Sequence, residues 1–96
     1  YPIEITIKGG LGVSAVITNT GTADLTNVDW SIELDGKLIF VGKTKSDTIA
    51  SLAAGASVTV KDFVVGFGKT GIAVEAGGTS VTGSGTVLLF FVIGVS

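Results

Sequence analysis

The chain has 96 residues, enough for one domain with a single core, and a formal net charge of −2. It contains neither His nor Cys, so it lacks the usual general base near neutral pH, a thiolate nucleophile and the main zinc and copper ligands. All six basic residues are Lys, which removes the bidentate Arg contacts that nucleic-acid binders favour. We therefore expect a single domain over residues 1–96 that is not an enzyme, carries no cofactor and binds no nucleic acid.

Alternating apolar and polar residues predict two strands at the start of the chain. Ile3, Ile5 and Ile7 fall on one face of the first strand, with polar residues between them. After a Gly-Gly break, residues 11–17 alternate in the same way before the turn-rich segment 19–22.

The next segment predicts a strand, a hairpin and a loop. Apolar residues alternate over 28–34 and place Trp30 on the inward face, as the central core residue of a sandwich. Asp35-Gly36 favours a type I′ hairpin turn, from which residues 38–41 return. The polar, Lys-rich residues 42–47 are typical of a loop.

The second half of the chain predicts further short strands, beginning with one near residues 48–52 that ends at a turn over 53–55. Residues 58–67 alternate with one phase slip near Lys61-Asp62, which favours a single strand with a β-bulge and inward Phe63 and Phe67. Residues 72–76, the turn Gly77-Gly78 and an apolar tail complete the series. About a third of the chain is Val, Ile or Thr, which favours strands. We expect an all-β fold, an immunoglobulin-like antiparallel β-sandwich of about seven strands.

The apolar tail predicts an interface. Residues 87–95 contain a run too short for a membrane helix but suited to a terminal strand buried on both faces, so we expect no membrane span. Leu88, Phe90 and Val92 alternate with a second set, which we expect to face a partner: Leu89, Phe91 and Ile93. The first strand is the other candidate for exchange between copies, which adds Ile3 and Ile5 to the predicted interface.

The middle of the chain resembles CARDB-type repeats of archaeal and bacterial surface proteins. The resemblance covers about half of the sequence and rests on the turn Asn19-Thr20-Gly21, the hairpin Leu34-Asp35-Gly36, and Ile49-Ala50-Ser51-Leu52-Ala53-Ala54-Gly55 before a valine-rich strand. The chain departs from the family where Leu52-Ala53-Ala54-Gly55 replaces the usual L-x-P-G. The resemblance implies an immunoglobulin-like sandwich with a surface role and no catalytic residue.

Two further observations bear on function. The chain starts at Tyr1-Pro2 and contains no Met, which favours removal of a preceding signal segment and an extracellular or cell-surface location; an excised domain is the alternative. We expect a structural subunit that self-assembles into a filament or envelope layer through strand exchange or apolar edge contacts, with itself as the main partner. The alternative is an adhesion or carbohydrate-binding immunoglobulin-like domain of a larger surface protein, in contact with the cell envelope or a glycan.

Motifs that suggest chemistry have simpler explanations. Gly68-Lys69-Thr70 resembles the end of a phosphate-binding loop, but Phe63 occupies the position of the required glycine and no helix follows. Asp29, Glu33 and Asp35 are spread along one strand and do not converge from a loop as calcium ligands do. We therefore assign no catalytic, cofactor-binding or metal-binding residue.

Overall fold

The structure, a computed structural model that describes residues 2–96, is built from antiparallel strands. Within that range there is no helix, and hence none long and apolar enough to cross a membrane. The strands are β1 (Ile3–Lys8), β2 (Gly10–Leu11), β3 (Val13–Asn19), β4 (Leu25–Leu34), β5 (Ile39–Val41), β6 (Thr44–Leu52), β7 (Ser57–Asp62), β8 (Val65–Ala76), β9 (Thr79–Leu89) and β10 (Phe91–Ile93).

These strands form two sheets. The smaller sheet has the order β1-β3-β7, and the larger has the order β2-β10-β9-β8-β4-β6, with β5 paired to β8. The all-β, antiparallel, sandwich-like fold expected from the sequence is confirmed.

The core lies between the two sheets and consists mainly of branched aliphatic side chains. In β4, the side chains of Val28, Trp30, Ile32 and Leu34 are buried and alternate with more exposed polar ones, as predicted. The inner faces of β1, β3, β7, β8 and β9 pack on these side chains, and Leu52, Val64 and Val92 complete the core. Trp30, with 7% of its surface exposed, is therefore a structural residue.

The type I′ hairpin predicted at Asp35-Gly36 is wrong. Leu34 is paired with Ile72 of β8, and its N–H donates to the carbonyl of Lys43 just before β6. The chain after Leu34 runs along β8, so β5 never returns against β4. Asp35 is held instead by Gly71, whose backbone N–H donates to Asp35 Oδ1 at 2.6 Å. The turn with two positive φ values is Gly77-Gly78, which joins β8 to β9.

The single bulged strand predicted over residues 58–67 is also wrong. β7 ends at Asp62 in the smaller sheet and β8 begins at Val65 in the larger one, so the phase slip marks a change of sheet. Val64 is fully buried at this crossing. Phe63 and Phe67, which we expected in the core, are 55% and 49% exposed.

The tail is a hairpin and not one terminal strand. Phe91 is paired with Leu88, so the chain reverses at Leu89, the last residue of β9, and Phe90. Leu89 has a positive φ of 61°, an uncommon conformation for a residue other than glycine. Folding back exposes Leu88 as well, so only Val92 of the three residues expected to enter the core is deeply buried.

The Lys-rich segment predicted as a loop belongs partly to β6. Thr44 to Asp47 pair with β4, and their exposed polar side chains are typical of an edge strand.

Candidate interaction surface

Most of the exposed apolar area of the described chain is concentrated at one end of the molecule. The side chains involved belong to β2, β5 and the turn before it, β10, the end of β9, the start of β8 and the link between β7 and β8. These segments meet because Gly66 pairs with both Leu89 and Ile39, while Phe91 pairs with both Leu88 and Leu11. We call this surface the apolar end; its residues are Leu11, Leu38, Phe40, Val41, Phe63, Phe67, Leu88, Leu89, Phe91 and Ile93, each 46–66% exposed.

A cross-strand row forms the centre of the apolar end. Leu11, Phe91, Leu88 and Phe67 are direct neighbours across β2, β10, β9 and β8. Residues directly opposite each other on neighbouring strands share a face of the sheet. Val87 and Val92, next to Leu88 and Phe91 in sequence, are buried, so the row lies on the outward face. With adjacent strands about 4.8 Å apart, the row extends roughly 14 Å.

The area of the apolar end exceeds what a monomer usually exposes. About half of each side chain is accessible. For side chains of roughly 150–200 Å², the ten residues together present on the order of 800–1,000 Å². The largest apolar patch on a typical monomer is about 300–600 Å², and one side of a standard protein interface buries about 800 Å². The apolar end is therefore large enough to be one side of a stable interface.

The structure separates the five residues predicted for an interface into two groups. Leu89, Phe91 and Ile93 lie on the apolar end and are 46%, 49% and 49% exposed. Ile3 and Ile5 are 9% and 7% exposed, because the face of β1 that carries them packs into the core of the same chain. An assembly role for these two residues requires β1 to leave its own sheet.

Several lysines lie near the apolar end. A groove of about 540 Å³ runs beside the apolar row, and its lining includes Leu38 and Phe67 together with the exposed Lys37 and Lys69. Lys8 and Lys61 lie near the ends of their strands on either side of Ser14. The remaining two lysines adjoin the β5–β6 connection, where Gly42 approaches the carbonyl of Phe63.

Asp62 is the buried carboxyl group at the base of this end. Its side chain is 3% exposed, and Oδ2 has no hydrogen-bond partner among residues 2–96. Burial raises the pKa of Asp62 from 3.8 to about 6, and the positive charge of Lys45 acts in the opposite direction. Near neutral pH the fold therefore carries a buried, mostly ionised carboxylate.

Sequence reasoning missed several residues of the apolar end. Leu11 and Phe67 were expected to face inward, because each continues an alternating pattern. In the structure Gly12 breaks the first pattern with a φ of 77°, and the change of sheet before β8 breaks the second. A glycine directly after Leu11 and the phase slip before Phe63 were the available signals.

The outward carboxylates form no metal site among residues 2–96. Asp29, Asp47 and Glu75 instead line a groove of about 310 Å³ that also includes Trp30. Since Trp30 is nearly buried, the groove offers no open aromatic face on which a sugar ring would stack.

The chain matches no family model, no curated protein and no solved structure. The resemblance to CARDB-type repeats therefore stays a prediction from the residues quoted above.

Proposed function

We propose that the chain is an extracellular structural subunit that self-assembles through its apolar end. The observation that carries the proposal is the gathering of the exposed large apolar side chains at one end of the molecule, with a combined exposed area of interface size. Scattered apolar residues are normal on soluble proteins, whereas a contiguous patch of this area is typical of an interaction site. The extracellular location rests on the sequence alone.

The strand order supports an immunoglobulin-like arrangement for this subunit. Without the short β2, β5 and β10, seven strands remain; the first, second and fifth form one sheet, and the other four form the second in the order β9-β8-β4-β6. Immunoglobulin-type sandwiches also place strands A, B and E in one sheet and C, F and G in the other. The resemblance to surface repeats fits the same arrangement.

The proposal is tested by sedimentation velocity and negative-stain microscopy of the whole chain over a range of concentrations. We expect the unmodified chain to form concentration-dependent particles larger than a monomer. The test variant changes Phe67, Leu88 and Phe91 together to Thr, which suits a strand. Half-exposed side chains of this size contribute about 1 kcal/mol each when buried, so assembly should weaken on the order of a hundredfold.

The matched control changes Ser46 and Ser80 to Thr, because both are exposed strand positions outside the apolar end. It should assemble like the unmodified chain, and circular dichroism should show both variants folded. A chain that sediments as a monomer at high concentration, or a triple variant that assembles unchanged, would contradict the proposal.

A further inference from the structure

Residues 91–96, which we call the arm, are held to the rest of the chain by a short ladder. The arm begins with β10, which pairs with β9 over three residues and with β2 over two. Beyond β10, Ser96 and Ser84 exchange two backbone hydrogen bonds of 3.0 Å. Val92 is the only buried side chain of the arm. Detaching the arm therefore opens one short strand and takes a single side chain out of the core.

The site that holds the arm fits it closely. Val92 lies opposite Val87 of β9, and both side chains are buried. At Gly9 a Cβ would clash with the carbonyl of Val92 and with the side chain of Val95, so the glycine allows the arm to approach. Every copy of the chain has both the arm and this site. The arm of a second copy would therefore make the same contacts in it.

The connection between β9 and the arm is strained. Leu89 has a φ of 61°, in the left-handed region that is unfavourable for any residue with a Cβ. Neither glycine nor asparagine is present at the reversal to relieve the strain. A chain that ran straight through Leu89 and Phe90 would release it, and β9 would then continue into the arm. Short connections under strain favour the exchange of the element that follows them.

We infer that copies of this chain exchange their arms, so that the arm of one copy occupies the site between β2 and β9 of another. This inference rests on the proposed function and names the strand that is exchanged. Exchange keeps the contacts of the arm, releases the strain at Leu89 and brings the apolar ends of two copies together. Reciprocal exchange yields a dimer, and exchange passed from copy to copy yields a filament.

The structure favours the arm over β1, the other terminal strand expected to exchange. β1 pairs with β3 along its whole length and buries both Ile3 and Ile5. The chain leaves β1 through Gly9 and Gly10, and the positive φ of Gly10 needs no strained side chain. Removing β1 would thus break a longer ladder and uncover more of the core, with no release of strain in return.

The first test locks the arm in its own chain. Val87 and Val92 are both changed to Cys in the whole chain, which has no other cysteine. Directly paired residues of antiparallel strands have Cα atoms about 4.5–5.5 Å apart, within the range of a disulfide. After oxidation as a dilute monomer, the locked chain should stay monomeric in sedimentation velocity where the unmodified chain assembles. Reduction with dithiothreitol should restore assembly.

The locked chain separates this inference from the proposed function, because its apolar end is still exposed. If the locked chain assembles like the unmodified chain, arm exchange is wrong and self-assembly through the apolar end stands. If the unmodified chain does not assemble at all, both fail.

The second test detects the exchanged arm directly. A chain with only Val87→Cys is mixed with an equal amount of a chain with only Val92→Cys, allowed to assemble and then oxidised. Both positions are at most 1% exposed, so a disulfide between copies requires the arm of one to lie on β9 of the other. Linked pairs with one chain of each kind are expected on a non-reducing gel, and neither variant alone should link. Assembled particles without mixed pairs would overturn the inference.

The third test uses the strained residue. Leu89→Gly and Leu89→Ala both remove the apolar side chain, but only glycine removes the strain from the unexchanged chain. The glycine variant should therefore need about tenfold higher concentration to assemble than the alanine variant, equivalent to ~1.4 kcal/mol. Circular dichroism should show both variants folded. Assembly of the two at the same concentration would contradict exchange driven by this connection.

Discussion

Replacing Asp62 by Asn tests the energetic cost of the buried carboxylate. The pKa of Asp62 is about 6 in the folded chain against an ordinary value of 3.8, so between these values the folded state binds more protons than the unfolded state. The free energy of unfolding therefore falls as pH rises through this window. A pKa difference of about two units corresponds to ~3 kcal/mol in total, most of which is lost between pH 4 and pH 7.

The Asp62→Asn variant should lack this component of the pH dependence, because its side chain does not titrate. Urea unfolding followed by Trp30 fluorescence at pH 4 to 7, at a protein concentration low enough for monomers, gives the free energy at each pH. Asp47→Asn is the control, since Asp47 is an exposed aspartate of the same chain. Parallel pH profiles for Asp62→Asn and the unmodified chain would refute the reasoning.

The positive charge of Lys45 lowers the pKa of Asp62, so a change at Lys45 tests the titration of Asp62 in a second way. Lys45→Gln removes that charge and should raise the pKa of Asp62 further. The loss of stability should then continue to a higher pH than in the unmodified chain. An unchanged profile would mean that the two side chains do not interact.

Three other substitutions, and a fourth as a control for the last of them, probe the fold by urea unfolding. Trp30→Ala removes the largest core side chain and should cost about 3–5 kcal/mol, measured by circular dichroism because the fluorophore is lost. Asn19→Ala removes an amide that donates to two backbone carbonyls, at 2.8 and 3.0 Å, and should cost roughly 2–4 kcal/mol. Gly42→Ala combines a φ of 82° with a clash against the Phe63 carbonyl, so it should cost clearly more than Gly55→Ala, which has a φ of 77° in open space. Equal costs for the two glycine variants would contradict the assigned clash.

Sequence and structure agree where a strand stays in one sheet. Both β1 and the inward face of β4 follow directly from alternation, because successive side chains of a strand point to opposite faces whatever the strand pairs with. The Gly77-Gly78 turn was also predictable, since glycine is the residue that accepts positive φ at both positions.

The candidate site was only partly predictable, because it depends on how strands pair and not on alternation within one strand. A run of apolar residues has the same local pattern whether it forms one strand buried on both faces or a hairpin. The hairpin at Leu89-Phe90 has neither glycine nor asparagine to mark it. Alternation therefore correctly places Leu89, Phe91 and Ile93 on the surface but wrongly places Leu88 in the core.

The sequence by itself determined the class of fold, the inward position of Trp30 and the existence of an apolar segment at the end of the chain, because composition and alternation are local properties. Only the tertiary structure decided that Phe63 and Phe67 are exposed, since that depends on the crossing from β7 to β8 between the two sheets. It also brought β2, β5 and β10 together at one end. These features depend on pairing between residues far apart in sequence, on which the local pattern carries no information.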